Sequence, residues 1–271
     1  MRPMRGASRY RGERRRYSTT CTSFVSPAAS DLNDGPRRLF GSDHALDLWP
    51  ELRKSPIFTK FQWSPLIHAA YETNKHFFEL EPTSFLSALY APISKHFAKI
   101  FKPTDPISPY YDETLDGLLV LHLRRGDFDQ HCWNFIEHSS GYNGYNSFDE
   151  LPDRFTIPSG GSKEERADLY LKHCFPTVAQ IVNRVKDVTK KVGGLRKVYI
   201  MTNGKGSWLA ELRAALLKGG QWEVSTSRDL SLSWEQKPIS QALDMYVAQR
   251  AQAFVGNGVS VSDPPFMARR D

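Results

Sequence analysis

Residues 117–123 read GLLVLHL, and residues 124–127 follow as RRGD. Apart from His122 the first run is apolar at every position, and so short a run without polar alternation predicts a strand buried on both faces of a parallel sheet. Side chains alternate along a strand, so His122 and Arg124 project from one face and Arg125 from the other. Gly126 lets the chain turn tightly.

Downstream of this run, strand and helix patterns alternate at roughly 30-residue spacing, which indicates βαβ crossovers. Residues from Phe128 to Ser162, rich in Gly, Asn, Tyr and Ser, read as a long loop. Helical spacing runs from Glu164 to Lys191 with a break at Pro176. Lys197 to Thr202 (KVYIMT) is a second buried strand, Ser207 to Lys218 a helix ended by Gly219-Gly220, and Trp222 to Thr226 a third strand. Pro238 to Gln252 reads as an amphipathic helix with Ile239, Leu243, Tyr246 and Val247 inward, and Ala253 to Gly256 as a fourth strand. The fold class expected is α/β, a doubly wound, Rossmann-like parallel sheet.

Upstream the pattern changes. From Trp49 to Phe101 it is helical, with Pro65, Pro82 and Pro92 near helix starts, where a missing N–H does no harm. Pro92 to Ile100 would place Ile93, Phe97 and Ile100 on one face, and the proline-rich Lys102 to Pro109 connects to the sheet. Residues 1–40 mix Arg, Ser, Pro and Gly without periodicity and are expected to be disordered. Three parts follow: a basic tail at 1–40, a partial, mainly helical first domain at 41–111, and the sheet domain at 112–271.

Composition narrows the function classes. The chain has 271 residues, 40% hydrophobic and 24% charged, which suits a globular protein. No apolar run approaches the ~18 residues that would span a bilayer, so stable membrane insertion is not expected. The formal charge of +6 arises in residues 1–20, with seven arginines against Glu13, and the rest carries 29 basic and 29 acidic residues. A body without excess charge has no field to gather nucleic acid, and none is expected as a partner. The basic arm alone could bind it non-specifically or, being Arg-rich and acid-poor, act as a targeting segment. Cys21, Cys132 and Cys174 allow one disulfide at most. His131-Cys132 and His173-Cys174 offer a zinc-like ligand set, but adjacent residues seldom both reach one ion. Buried thiols or a Cys132–Cys174 bridge are the better readings.

In a doubly wound sheet ligands sit beyond the carboxyl ends of the strands. Three endings stand out. The first is His122-Leu123-Arg124-Arg125-Gly126-Asp127, where a guanidinium would clamp phosphate unless Asp127 or Asp129 pairs with it. The second, Thr202-Asn203-Gly204-Lys205-Gly206-Ser207, is a strand-to-helix turn that could cradle an anion. The third is Phe254-Val255-Gly256-Asn257-Gly258-Val259-Ser260. Asp244 lies on the helix before it, with a solvated carboxylate as the default reading and a base or ribose contact as the functional one.

HLRRGDF followed by His131-Cys132, the turn VYIMTNG, TSRDL (226–230) and above all DMYVAQRAQAFVGNGVS (244–260) resemble the GDP-fucose protein O-fucosyltransferase family, in its fungal branch. The likeness covers roughly residues 50 to 260. It implies a GT-B arrangement of two Rossmann-like domains, the second holding the nucleotide, and an inverting transfer of fucose from GDP-fucose to a protein or glycan hydroxyl without metal or further cofactor. Arg124 matches the arginine on the donor diphosphate and is the catalytic candidate. His122 and Asp127 would shape the same loop, Asp244 matches a carboxylate near the nucleotide, and Ser260 matches the first of two phosphate-binding hydroxyl residues. Gly126, Asn203 and Asn257 complete the expected substrate-binding set. The family implies the secretory pathway (ER/Golgi), although neither signal nor anchor is visible. No segment of the GxxNN kind precedes residue 50, Val261 replaces the second hydroxyl residue, and Ser262-Asp263-Pro264-Pro265 stands where a closing helix is expected. These departures predict a chain truncated at both ends, with an inactive sugar-nucleotide or glycan-binding paralogue as the alternative.

Overall fold

Leu115–Leu123, the strand expected from the GLLVLHL run, is one of the two inner strands of a four-stranded parallel sheet in the computed structural model. The structure describes residues 50–51, 54–56, 61–81, 114–126, 128–142 and 155–257. The basic tail, the Pro92–Ile100 helix, the Lys102–Pro109 connection, Asp127, Ser260 and Val261 lie outside these residues.

The strands are β1 (Leu115–Leu123), β2 (Lys197–Thr202), β3 (Glu223–Thr226) and β4 (Ala251–Gly256), in the order β3-β2-β1-β4. Val120 pairs with Tyr199 on one side and Phe254 on the other. Among the described residues six α-helices accompany them: α1 (Pro65–Asn74), α2 (Phe128–His138), α3 (Lys163–Cys174), α4 (Val178–Val192), α5 (Gly206–Gly219) and α6 (Ser240–Ala248). Pro65 opens α1, where its missing N–H is harmless. Ser162 with Glu165 and Thr177 with Gln180 form capping boxes that start α3 and α4 on either side of the break at Pro176.

Alternation along the strands divides the core. Leu118, Val120, Tyr199 and Met201 face α1 and α6, whereas Leu119, Leu121, Val198 and Ile200 face α4 and α5. The double winding follows from this, because β1 to β3 are connected across one face and β4 returns across the other. Gly117 has φ +80°, and a Cβ there would lie 2.5 Å from Leu80 Cδ1, so glycine is required where β1 enters the sheet.

Two expectations change. The stretch after Phe128 begins not as loop but as α2, which buries Cys132 and Ile136 against Tyr142, Tyr170 and Cys174 in a separate small cluster. Cys132 and Cys174 form a disulfide joining α2 to α3. The helix expected over Pro238–Gln252 is shorter: a 3₁₀ turn at Lys237–Ile239 precedes α6, and Gln252 already belongs to β4. There its Oε1 accepts from the Gly117 amide.

Candidate functional site

β2 and β3 follow β1 on one side and the chain then crosses back to place β4 on the other, so the crevice at the carboxyl ends of β1 and β4 is the switch point where such sheets bind ligands. Asn257, the first residue after β4, closes that corner. Its backbone N–H donates to the His122 carbonyl at 3.3 Å. Its side-chain Oδ1 accepts from the Arg124 N–H at 3.1 Å, while Nδ2 donates to the Arg124 and Cys174 carbonyls at 2.8 Å each. The residue is 3% exposed. The amide of Asn257, a position expected to contact substrate, is turned onto the backbone of Arg124 and Cys174.

The two arginines diverge as strand alternation requires. The Arg124 guanidinium lies 4.5 Å from the centre of the Phe128 ring, at the first residue of α2. Among the described residues no carboxylate pairs with it, and its buried Nε has no hydrogen-bond partner. A buried donor left unsatisfied costs about 1–3 kcal/mol, which a ligand oxygen would recover. The Arg125 guanidinium lies over the rings of Phe175 (3.7 Å) and Trp208 (4.4 Å) and donates to the Pro176 carbonyl at 2.7 Å.

His122 adjoins Arg124. Burial first, and the Arg124 charge second, push its pKa down to about 4, so the imidazole is neutral at physiological pH. Arg124 therefore supplies the positive charge at this corner and His122 only hydrogen-bonding capacity.

Gly126 and Asn203 meet where β1 and β2 end. Gly126 has φ +58°, and a Cβ on it would lie 2.8 Å from Asn203 Nδ2. Asn203 Oδ1 accepts from the Arg125 N–H at 2.7 Å. Thr202 Oγ1 donates to the Leu123 carbonyl at 2.6 Å and accepts from the Gly204 N–H, and Arg228 donates to the Gly204 carbonyl. The turn expected to cradle an anion thus braces the arginine corner.

Asp244 is not the solvated helix carboxylate of the default reading. It accepts from the Tyr199 hydroxyl at 2.6 Å over the middle of β2, and burial pushes its pKa up to about 7 against the lowering effect of that hydrogen bond. Burial, and then Asp244 itself, raise the Tyr199 phenol. The structure therefore brings His122, Arg124, Gly126, Asn203 and Asn257 to the strand ends and holds Asp244 over the sheet face. A cavity of about 540 Å³ lined by Lys197, Arg213, Glu223, Ser225 and Asp229 runs along β3, sharing no residue with the corner. The corner has the stronger claim, because its charged group has a donor left over. Among the described residues no cluster of His, Cys, Asp or Glu could hold a metal ion.

Sequence reasoning missed Phe128 as the platform of Arg124 and Tyr199 as the partner of Asp244. The only signals were an aromatic residue four positions after Arg124 and one aromatic residue within the otherwise aliphatic centre of KVYIMT.

A family model described as GDP-fucose protein O-fucosyltransferase matches residues 93–270. The chain belongs to this family. Its members take fucose from GDP-fucose and act in the secretory pathway, and the match includes the whole described sheet and every candidate residue above. Comparison with curated proteins finds no match. No helix among the described residues is long and apolar enough to cross a membrane.

Proposed function

We propose that the chain transfers fucose from GDP-fucose to a hydroxyl of a protein acceptor in the secretory pathway, with inversion at the anomeric carbon and without a metal. The observation that carries this reading is the Arg124 side chain. It is a cation at the β1–β4 switch point with an unpartnered buried Nε and a backbone held on both sides by Asn257.

In the proposed reaction the acceptor oxygen bonds to C1 of fucose on one face and releases its proton to solvent. On the other face the C1–O bond to the β-phosphate breaks, and its electron pair stays on the phosphate oxygen through an oxocarbenium-like state. Arg124 faces the growing negative charge from a fixed position, so little reorganisation is needed as the bond breaks. Neutral His122 adds a hydrogen-bonding group beside it. In this reading residues 112–271 form the donor domain, with Asp127 and Ser260 completing the phosphate-binding loops and Asp244 lying towards the nucleotide.

The test is release of GDP from GDP-fucose in the presence of a protein acceptor. By the measure of other preorganised donors, Arg124→Ala should lower the rate about 10²–10³-fold. Equal rates for wild type and variant would overturn the assignment. Tight GDP-fucose binding without transfer would mark a donor-binding protein instead.

A further inference from the structure

The second arginine of the corner has a different task from the first. Arg125 diverges from Arg124, and its planar head lies over rings from two separate elements: Phe175, just past α3, and Trp208, in the first turn of α5. One N–H is taken by the Pro176 carbonyl, and the backbone N–H by Asn203 Oδ1. A guanidinium so held is not free to reach a diphosphate, and its flat, multi-donor shape suits this position in a way an ammonium does not.

Its contacts lead back to Arg124. Cys174, Phe175 and Pro176 are consecutive, and each touches the corner: Cys174 through its carbonyl to Asn257 Nδ2, Phe175 through its ring to Arg125, and Pro176 through its carbonyl to Arg125. The same Asn257 amide fixes the Arg124 N–H and carbonyl. Arg125 thus draws the segment 174–176 against the strand ends, the segment supplies one of the acceptors that orient the Asn257 amide, and that amide sets the backbone from which Arg124 projects.

We propose that Arg125 is a positioning residue for donor binding, acting through the 174–176 segment and Asn257 to hold Arg124 rather than by contact with the phosphates. The inference rests on the reading of Arg124 as the diphosphate ligand. Its test is calorimetric titration of the full chain with GDP across a series of salt concentrations, using wild type, Arg124→Ala, Arg125→Met and Arg125→Lys. Wild-type binding that is lost in Arg124→Ala establishes the donor site first.

Given that result, Arg125→Met should bind GDP about 5–20-fold more weakly while log Kd keeps the wild-type slope against log salt, because the lost charge did not face the phosphates. Arg125→Lys should resemble Arg125→Met, since the ammonium has no planar head to lie over the two rings. Wild-type affinity in Arg125→Met, or full rescue by Lys with a salt slope that follows the charge, would overturn the proposal. If Arg125→Met does not fold, Trp208→Leu removes one of the two rings and should weaken GDP about two- to fivefold at unchanged slope. Unchanged affinity there overturns the proposal equally. A wild type that binds no GDP would sink the donor-site reading and this inference with it, whereas a wild type that binds beside an indifferent Arg125→Met sinks this inference alone.

Discussion

Replacing both bridged cysteines, as Cys132→Ser with Cys174→Ser, removes the covalent tie between α2 and α3. The bridge closes a loop of 42 residues. By the chain-entropy relation, a cross-link of that span stabilises the fold by about 4 kcal/mol through the unfolded state. The bridge lies in the small cluster of Cys132, Ile136, Tyr142, Tyr170 and Cys174, which is separate from the two main cores. For a protein of this size about 2–4 °C of melting temperature corresponds to each kcal/mol, so the double variant should melt about 8–16 °C below wild type. The assay is thermal unfolding followed by near-UV circular dichroism, with and without a thiol reductant. Reductant should bring wild type down to the variant and leave the variant where it is. Coincident midpoints, or rapid thiol labelling of both cysteines in the folded wild type, would refute the reasoning.

Two further perturbations address the site itself. Asn257→Ala strips partners from the Arg124 N–H and carbonyl and from the Cys174 carbonyl, and should destabilise the fold by about 3 kcal/mol in urea unfolding, given about 1–3 kcal/mol for each buried group left unsatisfied; a loss under about 1 kcal/mol would contradict the clamp. Asp244→Asn keeps an oxygen for the Tyr199 hydroxyl but carries no charge. The native carboxyl has its pKa raised to about 7, above its unfolded value near 4, so its contribution is fully present below about pH 4 and is lost as pH rises through 7. The stability difference between Asp244→Asn and wild type should therefore shift in favour of the variant as pH rises from 4 to 8, and parallel pH profiles would show that the carboxyl is not perturbed.

The centre of the sheet was legible because β1 and β2 are buried on both faces, and burial of that kind leaves a nearly unbroken apolar run that local reading detects. The strand ends followed from it, and alternation alone separated Arg124 from Arg125. Helix α2 was not legible: its sequence FDQHCWNFIEH buries only Cys132 and Ile136, and its partners, the Cys174 disulfide and the Tyr142 and Tyr170 rings, lie up to 42 positions away. Asp244 misled for a similar reason, since the hydroxyl that receives it belongs to Tyr199, on a strand 45 residues earlier. Asn257 lay at the right place, but an amide serves a ligand and a neighbouring backbone equally well. Only the fold shows that the Arg124 peptide groups are within its reach.

The central claim is that Arg124 receives the diphosphate of a guanine nucleotide sugar. Calorimetric titration of wild type and Arg124→Ala with GDP and with UDP tests it most directly. Wild type should bind GDP in clear preference to UDP, and the variant should bind neither. Equal GDP affinity in the two proteins would contradict the claim.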